Sequence, residues 1–504
     1  MNQYILFLIA LIPIVLLIVM LGFLNKPAHK TALISMTISA FLAVLVFNLS
    51  VIEVASAILE GMVYGLWPIM ITIIGALFTY NLALYTNKME TIKNMLSGIS
   101  SDPRIQVLII AWAFGGFLEG VAGYGTAVAL PASLLAVLGF NPMFAAVLCL
   151  IANTVPTAFG AVGIPVVTLA EIANLDIHKL SYTIALQSFI FTLIIPFILV
   201  TLTGKSLKAL KGVFGITLIS GLSFAIPQLL IARSLGAELP SLLGGLISLA
   251  VTIVTASLFY RNKTQTIKSV PLKEAILAWL PYIFIIVLIV LTMPMVEPIH
   301  DLVGNVKSTA VIYQGDGGAS ITFKWFTTPG FIIIMATLVA GFFQGCSLLQ
   351  MVHVFIKTVK KMTKSIITVL AIVALAKIMD YSGMVNAIAI VLVAVTGPFF
   401  PLISPLLGAL GTFVTGSDTS ANLLFGSLQT QVASSIGVSE YWLAASNTTG
   451  AALGKMISPQ SIAVAASATD LVGREGDILK QTCKYCLVLV SLLGIMIYVG
   501  SFFY

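Results

Sequence analysis

Charged side chains are scarce in this chain: Asp, Glu, Lys and Arg make up 9% of its 504 residues. A soluble domain carries about 25%, so water is excluded as the main solvent. Histidine is scarcer still. His29, His178, His300 and His353 all lie in loops or near the ends of apolar runs, which removes the usual pH switch from the interior. Neither H-E-x-x-H nor G-x-S-x-G occurs, so zinc-protease and serine-hydrolase chemistry have no carrier here. Gly450 to Met456 only mimics a phosphate loop, because its glycine spacing is one short and Met456 stands where Ser or Thr is required. Of the four cysteines, Cys149, Cys346, Cys483 and Cys486, only the last two are close. A lone C-x-x-C without a second pair or a nearby His reads as reduced and structural. No enzyme, metal site or cofactor is expected, and no separate soluble domain.

What is abundant is apolar: 59% of the residues are hydrophobic and the mean hydropathy is +1.10. A membrane-crossing helix needs about 20 such residues in a row. Runs of that kind fall near 4–24, 31–49, 58–86, 143–165, 182–203, 212–232, 240–260, 274–294, 328–350, 364–383, 439–460 and 485–503. The expected fold is therefore all-α and polytopic, with about twelve transmembrane helices in one integral membrane domain, 1–504. The first run lacks a positive n-region and a small-residue cleavage pattern, so it is expected to be retained as a span. The net charge of +7 does not imply a nucleic-acid partner, since membrane proteins collect Lys and Arg in cytoplasmic loops. The lipid bilayer is the expected surrounding, and assembly into a homo-oligomer stays open.

Two apolar stretches, about 105–140 and 401–437, are too long for one span, and each is interrupted by a polar, Gly-rich break: Glu119-Gly120-Val121-Ala122-Gly123 and Thr415-Gly416-Ser417-Asp418-Thr419-Ser420. They are expected to be re-entrant helical hairpins, because non-helical backbone at membrane depth survives only where protein or a watery cavity surrounds it. Lys and Arg placement supports the count. Loops 26–30, 88–104, 205–211, 261–273, 357–364 and 474–484 hold two, three, three, four, four and three of the 25, all on one side in this scheme. Lys179, Arg233, Lys307 and Lys324 fall on the other, and the termini are then outside.

Self-similarity refines the picture. Gly115 to Gly120 and Gly411 to Gly416 both read G-x-F-[LV]-x-G; Asn153-Thr154 and Asn447-Thr448 both open N-T-x5-G-x4-P; Tyr85-Thr86 and Tyr381-Ser382 continue the register upstream. The expected scheme is a pair of inverted repeats, roughly 58–203 and 354–504, linked by spans 212–350. Inverted repeats with interrupted helices are the architecture of secondary transporters. A passive channel is the weaker alternative, given how few charges are buried.

Broken helices offer unpaired N–H groups and positive dipole ends to an anion. Breaks are expected at Asn153-Thr154-Val155-Pro156 and Asn447-Thr448-Thr449-Gly450, with hydroxyls added by Thr126, Ser417, Thr419 and Ser420. These groups suit a carboxylate and a 2-hydroxyl. An ionisable group at membrane depth costs about 2.5–3.5 kcal/mol, so each should be paired or functional. Lys455 is the candidate for attracting the substrate carboxylate, and Asp418 or Glu119 for taking a coupled proton, since a carboxyl withdrawn from water favours its neutral form. A purely structural Asp418–Lys455 pair is the bland alternative, and Lys377 and Asp380 are the other ionisable residues in the apolar region.

The runs 115–165 and 411–429, the block SNTTGAALGKMISPQSIAVA at 446–465 and the stretch Leu471-Val472-Gly473-Arg474-Glu475 resemble the bacterial L-lactate permease family. The resemblance spans the whole chain. It implies proton-coupled symport of L-lactate, with D-lactate and glycolate as further substrates, at the bacterial cytoplasmic membrane. The alternative is a Na⁺-coupled symporter of another small carboxylate. The family motifs cover Ser417, Asp418, Thr419, Ser420, Asn447, Thr448 and Lys455. The chain departs from them at Tyr124, where Phe is expected, and at 126–128, where TAV replaces APV.

Overall fold

The computed structural model describes residues 2–20, 24, 26–97, 99–123, 125–260, 270–292, 296–315, 318, 320–471 and 474–504. Tyr124, Val472 and Gly473, and most of the basic 261–273 loop, lie outside the described residues. Among those described, ten helices are long and apolar enough to cross a membrane. Their outward faces carry Phe41, Leu230, Val254 and Leu492, all largely exposed, while Thr79 and Thr337 bond each other in the interior. Apolar outside and polar pairs inside is the arrangement that lipid demands. The chain is a polytopic helical membrane protein.

The count of ten, against about twelve expected, has a geometric cause. Glu440–Gly454 has 15 residues and Pro142–Ala152 has 11; at about 1.5 Å per residue neither reaches the 30 Å of a hydrocarbon core. Pro329–Phe343 is also short. Three elements escaped the apolar-run reading: the amphipathic helix Lys88–Ser97, the helix Met384–Thr396, and a two-stranded antiparallel sheet. That sheet pairs Lys307–Val311 with Ser320–Lys324. It corrects the all-α expectation, and its exposed, alternating segment is too polar to register as a span.

The same order of elements occurs twice. A long helix kinked at Trp67, Val51–Tyr85, is followed by Lys88–Ser97, Pro103–Val121, Thr126–Val137, Pro142–Ala152, Gly160–Ile172 and Ile177–Thr203. The second series runs Leu348–Tyr381, Met384–Thr396, Phe400–Thr415, Asp418–Ile436, Glu440–Gly454, Pro459–Ala468 and Glu475–Gly500. Both long helices open with a capping box: Ser50 with Glu53, and Ser347 with Gln350. In each, the serine oxygen and the N3 side chain satisfy donors that a helix start leaves unpaired.

These long helices run antiparallel along each other through the interior, and near one end their crossing carries a buried ion pair. Glu60, fully buried, accepts from Lys377 Nζ at 2.8 Å, from the Tyr381 hydroxyl at 2.8 Å and from the Tyr313 backbone N–H at 3.2 Å. Tyr313 stacks on Tyr381 with ring centroids 3.7 Å apart, which docks the loop after Lys307–Val311 onto the crossing. At the other end of the same two helices, Asn81 donates to Thr358 at 2.9 Å.

Candidate functional site

Two helical hairpins and two helix breaks converge on one cavity. The first hairpin joins Gly115–Val121 to Thr126–Val137 through residues 122–125. The second joins Phe400–Thr415 to Asp418–Ile436 through Gly416 and Ser417. Gly416 has φ +78°, a left-handed C-cap that side-chain-bearing residues seldom adopt. Its partner Ser417 is the N-cap of the next helix, accepting from the Ser420 N–H at 3.3 Å. The chain thus reverses in two residues and leaves Asp418 in the first turn of a helix, facing the cavity.

The breaks are not where the N-T motifs predict them. Asn153 does end a helix, but the sharper break follows it, at Ala161 (φ +44°), Val162 (φ +56°) and Gly163 (φ +75°). Two non-glycine residues in the left-handed region are strained, by about 1–3 kcal/mol each, and such strain gathers at functional sites. In the second series the expected break at Asn447 to Gly450 does not exist: Glu440–Gly454 is one continuous helix, and the break comes at Lys455 to Ser458. Gly450 serves close packing instead, since a Cβ there would sit 2.0 Å from the Pro405 carbonyl oxygen.

Each hairpin lies against the broken helix of the other series. Asn422 donates to the Pro165 carbonyl at 3.0 Å and Ser427 to the Ile172 carbonyl at 3.0 Å. On the other side the turn of the first hairpin at Gly125 meets Val464. The cavity between them is lined from the first series by Glu119, Thr157 and the 160–165 break. From the second come Ser417, Asp418, Thr419, Lys455, Gln460 and Ser461. Its volume is about 40 Å³, and a water takes about 10–15 Å³ on that measure. That is room for about three waters, so as it stands the cavity admits only a ligand of few heavy atoms.

Three lining residues are ionisable: Glu119, Asp418 and Lys455. Lys455 Nζ donates to the Gly416 carbonyl at 3.1 Å, which fixes the ammonium at the turn of the second hairpin. No Asp418–Lys455 ion pair forms among the described residues, so the purely structural pair is not what the structure shows. Both carboxylate oxygens of Asp418 and one of Glu119 are buried without a hydrogen-bond partner among the described residues. A buried carboxylate left without donors is costly, so these oxygens are open to a partner that the described residues do not supply.

Of the other sequence-derived candidates, Ser417 and Thr419 line the cavity. Thr126, Asn153, Thr154, Ser420, Asn447 and Thr448 do not. Thr126 donates to the Gly123 carbonyl at 2.8 Å and Thr154 to the Ile151 carbonyl at 2.8 Å, so both hydroxyls serve their own turns. Asn153 reaches Thr157 at 3.3 Å, one step behind the lining. Ser420 contributes its N–H to the Ser417 cap. Asn447 donates to Asn422 at 2.9 Å and accepts from Gln429 at 3.2 Å; it ties two helices together. Thr448 is fully buried with its hydroxyl unpartnered. Sequence reasoning missed Thr157, Gln460 and Ser461, although all three sit inside or just after the N-T-x5-G-x4-P motifs, and it missed Glu60 as the partner of Lys377. A lone acid within an apolar run was the available signal.

A family model described as L-lactate permease matches residues 6–503. An L-lactate permease of Streptococcus iniae is 47% identical over 439 residues, which is 87% of this chain and 93% of that one. The glycolate permease GlcA of Escherichia coli (strain K12) is 35% identical over 97% of this chain and 94% of its own. An L-lactate permease of Bacillus subtilis (strain 168) is 34% identical over 97% and 94%. Among solved structures, the Alcanivorax borkumensis YdaH transporter aligns with a TM-score of 0.48 at 16% identity, covering 88% of this chain and 87% of that one.

Proposed function

Because this chain belongs to the L-lactate permease family, we propose that it is a secondary active transporter that carries L-lactate, D-lactate and glycolate together with protons across the bacterial cytoplasmic membrane. Relatives named for lactate and for glycolate support short 2-hydroxy monocarboxylates as the substrate class. The observation that carries the mechanism is the cavity in which one ammonium, Lys455, faces two buried carboxyls, Glu119 and Asp418, with unpartnered oxygens. An ammonium held at a helix turn can receive a carboxylate. Thr419, Gln460 and Ser461 line the cavity and would bond a 2-hydroxyl. The carboxyls are the proton acceptors.

In this reading the two series of elements are inverted repeats, the two helical hairpins are re-entrant, and both termini are outside. The repeated element order and the capping boxes support the repeats, and the Lys and Arg asymmetry supports the orientation. The transport test is uptake of labelled L-lactate into proteoliposomes under an imposed inward proton gradient, with and without Na⁺. Proton-driven accumulation, competed by glycolate and not by succinate, is expected. Uptake that strictly requires Na⁺ would favour the Na⁺-coupled alternative, and no uptake by folded protein would overturn the substrate assignment.

A further inference from the structure

The three charges of the cavity do not balance for a carrier that moves one proton. A single carboxyl opposite Lys455 would suffice, since that pair is neutral when empty and neutral again with one proton and one bound carboxylate. Here there is a second carboxyl. Glu119 comes from the first hairpin, Asp418 from the second, and both line the cavity with Lys455. The other elements packed around it, Thr126–Val137, Phe400–Thr415 and Pro459–Ala468, carry no Asp, Glu, Lys, Arg or His. Glu171, near the end of Gly160–Ile172, lines a separate chamber with Lys324 and Lys377.

We propose that the cavity retains one proton throughout the cycle, shared between Glu119 and Asp418, so that each monocarboxylate crosses with one further proton and no net charge moves. This rests on the cavity being the site of carboxylate and proton binding. With Lys455 charged, the empty cavity carries one net negative charge when both carboxyls are ionised and none when one is protonated. A bound carboxylate adds one negative charge, which a second proton cancels. Moving uncompensated charge through a low-dielectric interior is strongly opposed, so the two neutral states, empty with one proton and loaded with two, are the ones that cross. They differ by one anion and one proton. The competing cycle sends the empty cavity back with no proton and one negative charge, which couples two protons to each anion and makes transport electrogenic.

The placement of the two carboxyls supports sharing. Neither oxygen of Asp418 has a partner among the described residues, and one oxygen of Glu119 has none, so either carboxyl can hold the retained proton without breaking an existing bond.

The experiment uses the full-length protein in proteoliposomes. A potassium–valinomycin potential, inside negative, is imposed without a pH gradient, and in a second arm a pH gradient is imposed with the potential clamped at zero. Accumulation of L-lactate under the pH gradient alone, no accumulation under the potential alone, and one proton per lactate by an internal pH dye are the expected results. Potential-driven accumulation or two protons per lactate overturns the retained proton while leaving proton-coupled lactate transport intact. No lactate movement in either arm overturns both. In Asp418→Asn the proton ratio stays at one whatever the rate; a fall from two to one would mark the competing cycle. In the double variant Glu119→Gln with Asp418→Asn, the loaded cavity is neutral without any proton. Lactate counterflow that no longer depends on pH, with gradient-driven accumulation lost, is expected there; loss of counterflow in folded protein would overturn the charge balance.

Discussion

Replacing Lys455 by glutamine isolates the charge in the cavity from its structural bond. The ammonium donates to the Gly416 carbonyl at 3.1 Å, and a glutamine amide keeps an N–H donor for that oxygen while removing the positive charge. Substrate loses one charge-assisted hydrogen bond, worth about 1.5–3 kcal/mol, and at 1.4 kcal/mol per tenfold the dissociation constant for L-lactate rises by about 10- to 150-fold. The carboxylate then faces Glu119 and Asp418 with no cation among the lining residues, which places the effect toward the upper end. The assay is equilibrium binding of labelled L-lactate to purified protein in detergent, with size-exclusion profiles confirming the fold. Lys455→Arg keeps the charge in a cavity of about 40 Å³, so it should fall between wild type and Lys455→Gln. Affinity in folded Lys455→Gln within threefold of wild type would refute the assignment of Lys455 to the carboxylate.

Lys377→Met takes a cation that is itself only 18% exposed away from the fully buried Glu60. Breaking such a pair costs about 3–5 kcal/mol, read as a lower thermal midpoint, and the double variant with Glu60→Gln should recover most of it in a double-mutant cycle. Asn447→Ala takes one buried hydrogen bond each from Asn422 and Gln429 and lowers stability by about 1–3 kcal/mol. The folded fraction should bind lactate as wild type does, because Asn447 does not line the cavity; a large affinity loss would return it to the binding set. Gly450→Ala drives a methyl group into the Pro405 carbonyl, costing about 1–3 kcal/mol and visible as a lower melting temperature.

The legibility of the site differed from residue to residue for physical reasons. Ser417, Asp418, Thr419, Glu119 and Lys455 were readable because polar or charged residues in an apolar run must be explained, and the cavity explains them. Asn447 and Thr126 carry the same kind of signal, yet their polar groups are consumed by Asn422, Gln429 and the Gly123 carbonyl. Composition cannot separate a polar group that binds ligand from one that binds its neighbour helix. The continuous helix through Gly450 misled for a related reason: glycine signals either a break or a close approach, and only the position of Pro405 decides between them. Gln460 and Thr157 went unremarked because their role depends on which turn they face.

Hydropathy, charge placement and the doubled motifs were local properties, and by themselves they determined a polytopic helical membrane protein with two interrupted apolar blocks and a short set of interior ionisable residues. Those follow from the cost of leaving charge or bare backbone in lipid, which acts on each segment separately. The tertiary structure alone decided that Glu60 meets Lys377 across 317 positions of sequence. It also decided that each hairpin packs on the broken helix of the other series, and that Glu119 and Asp418 share one cavity with Lys455. These are long-range pairings, fixed by how whole helices cross, and no window of sequence contains them.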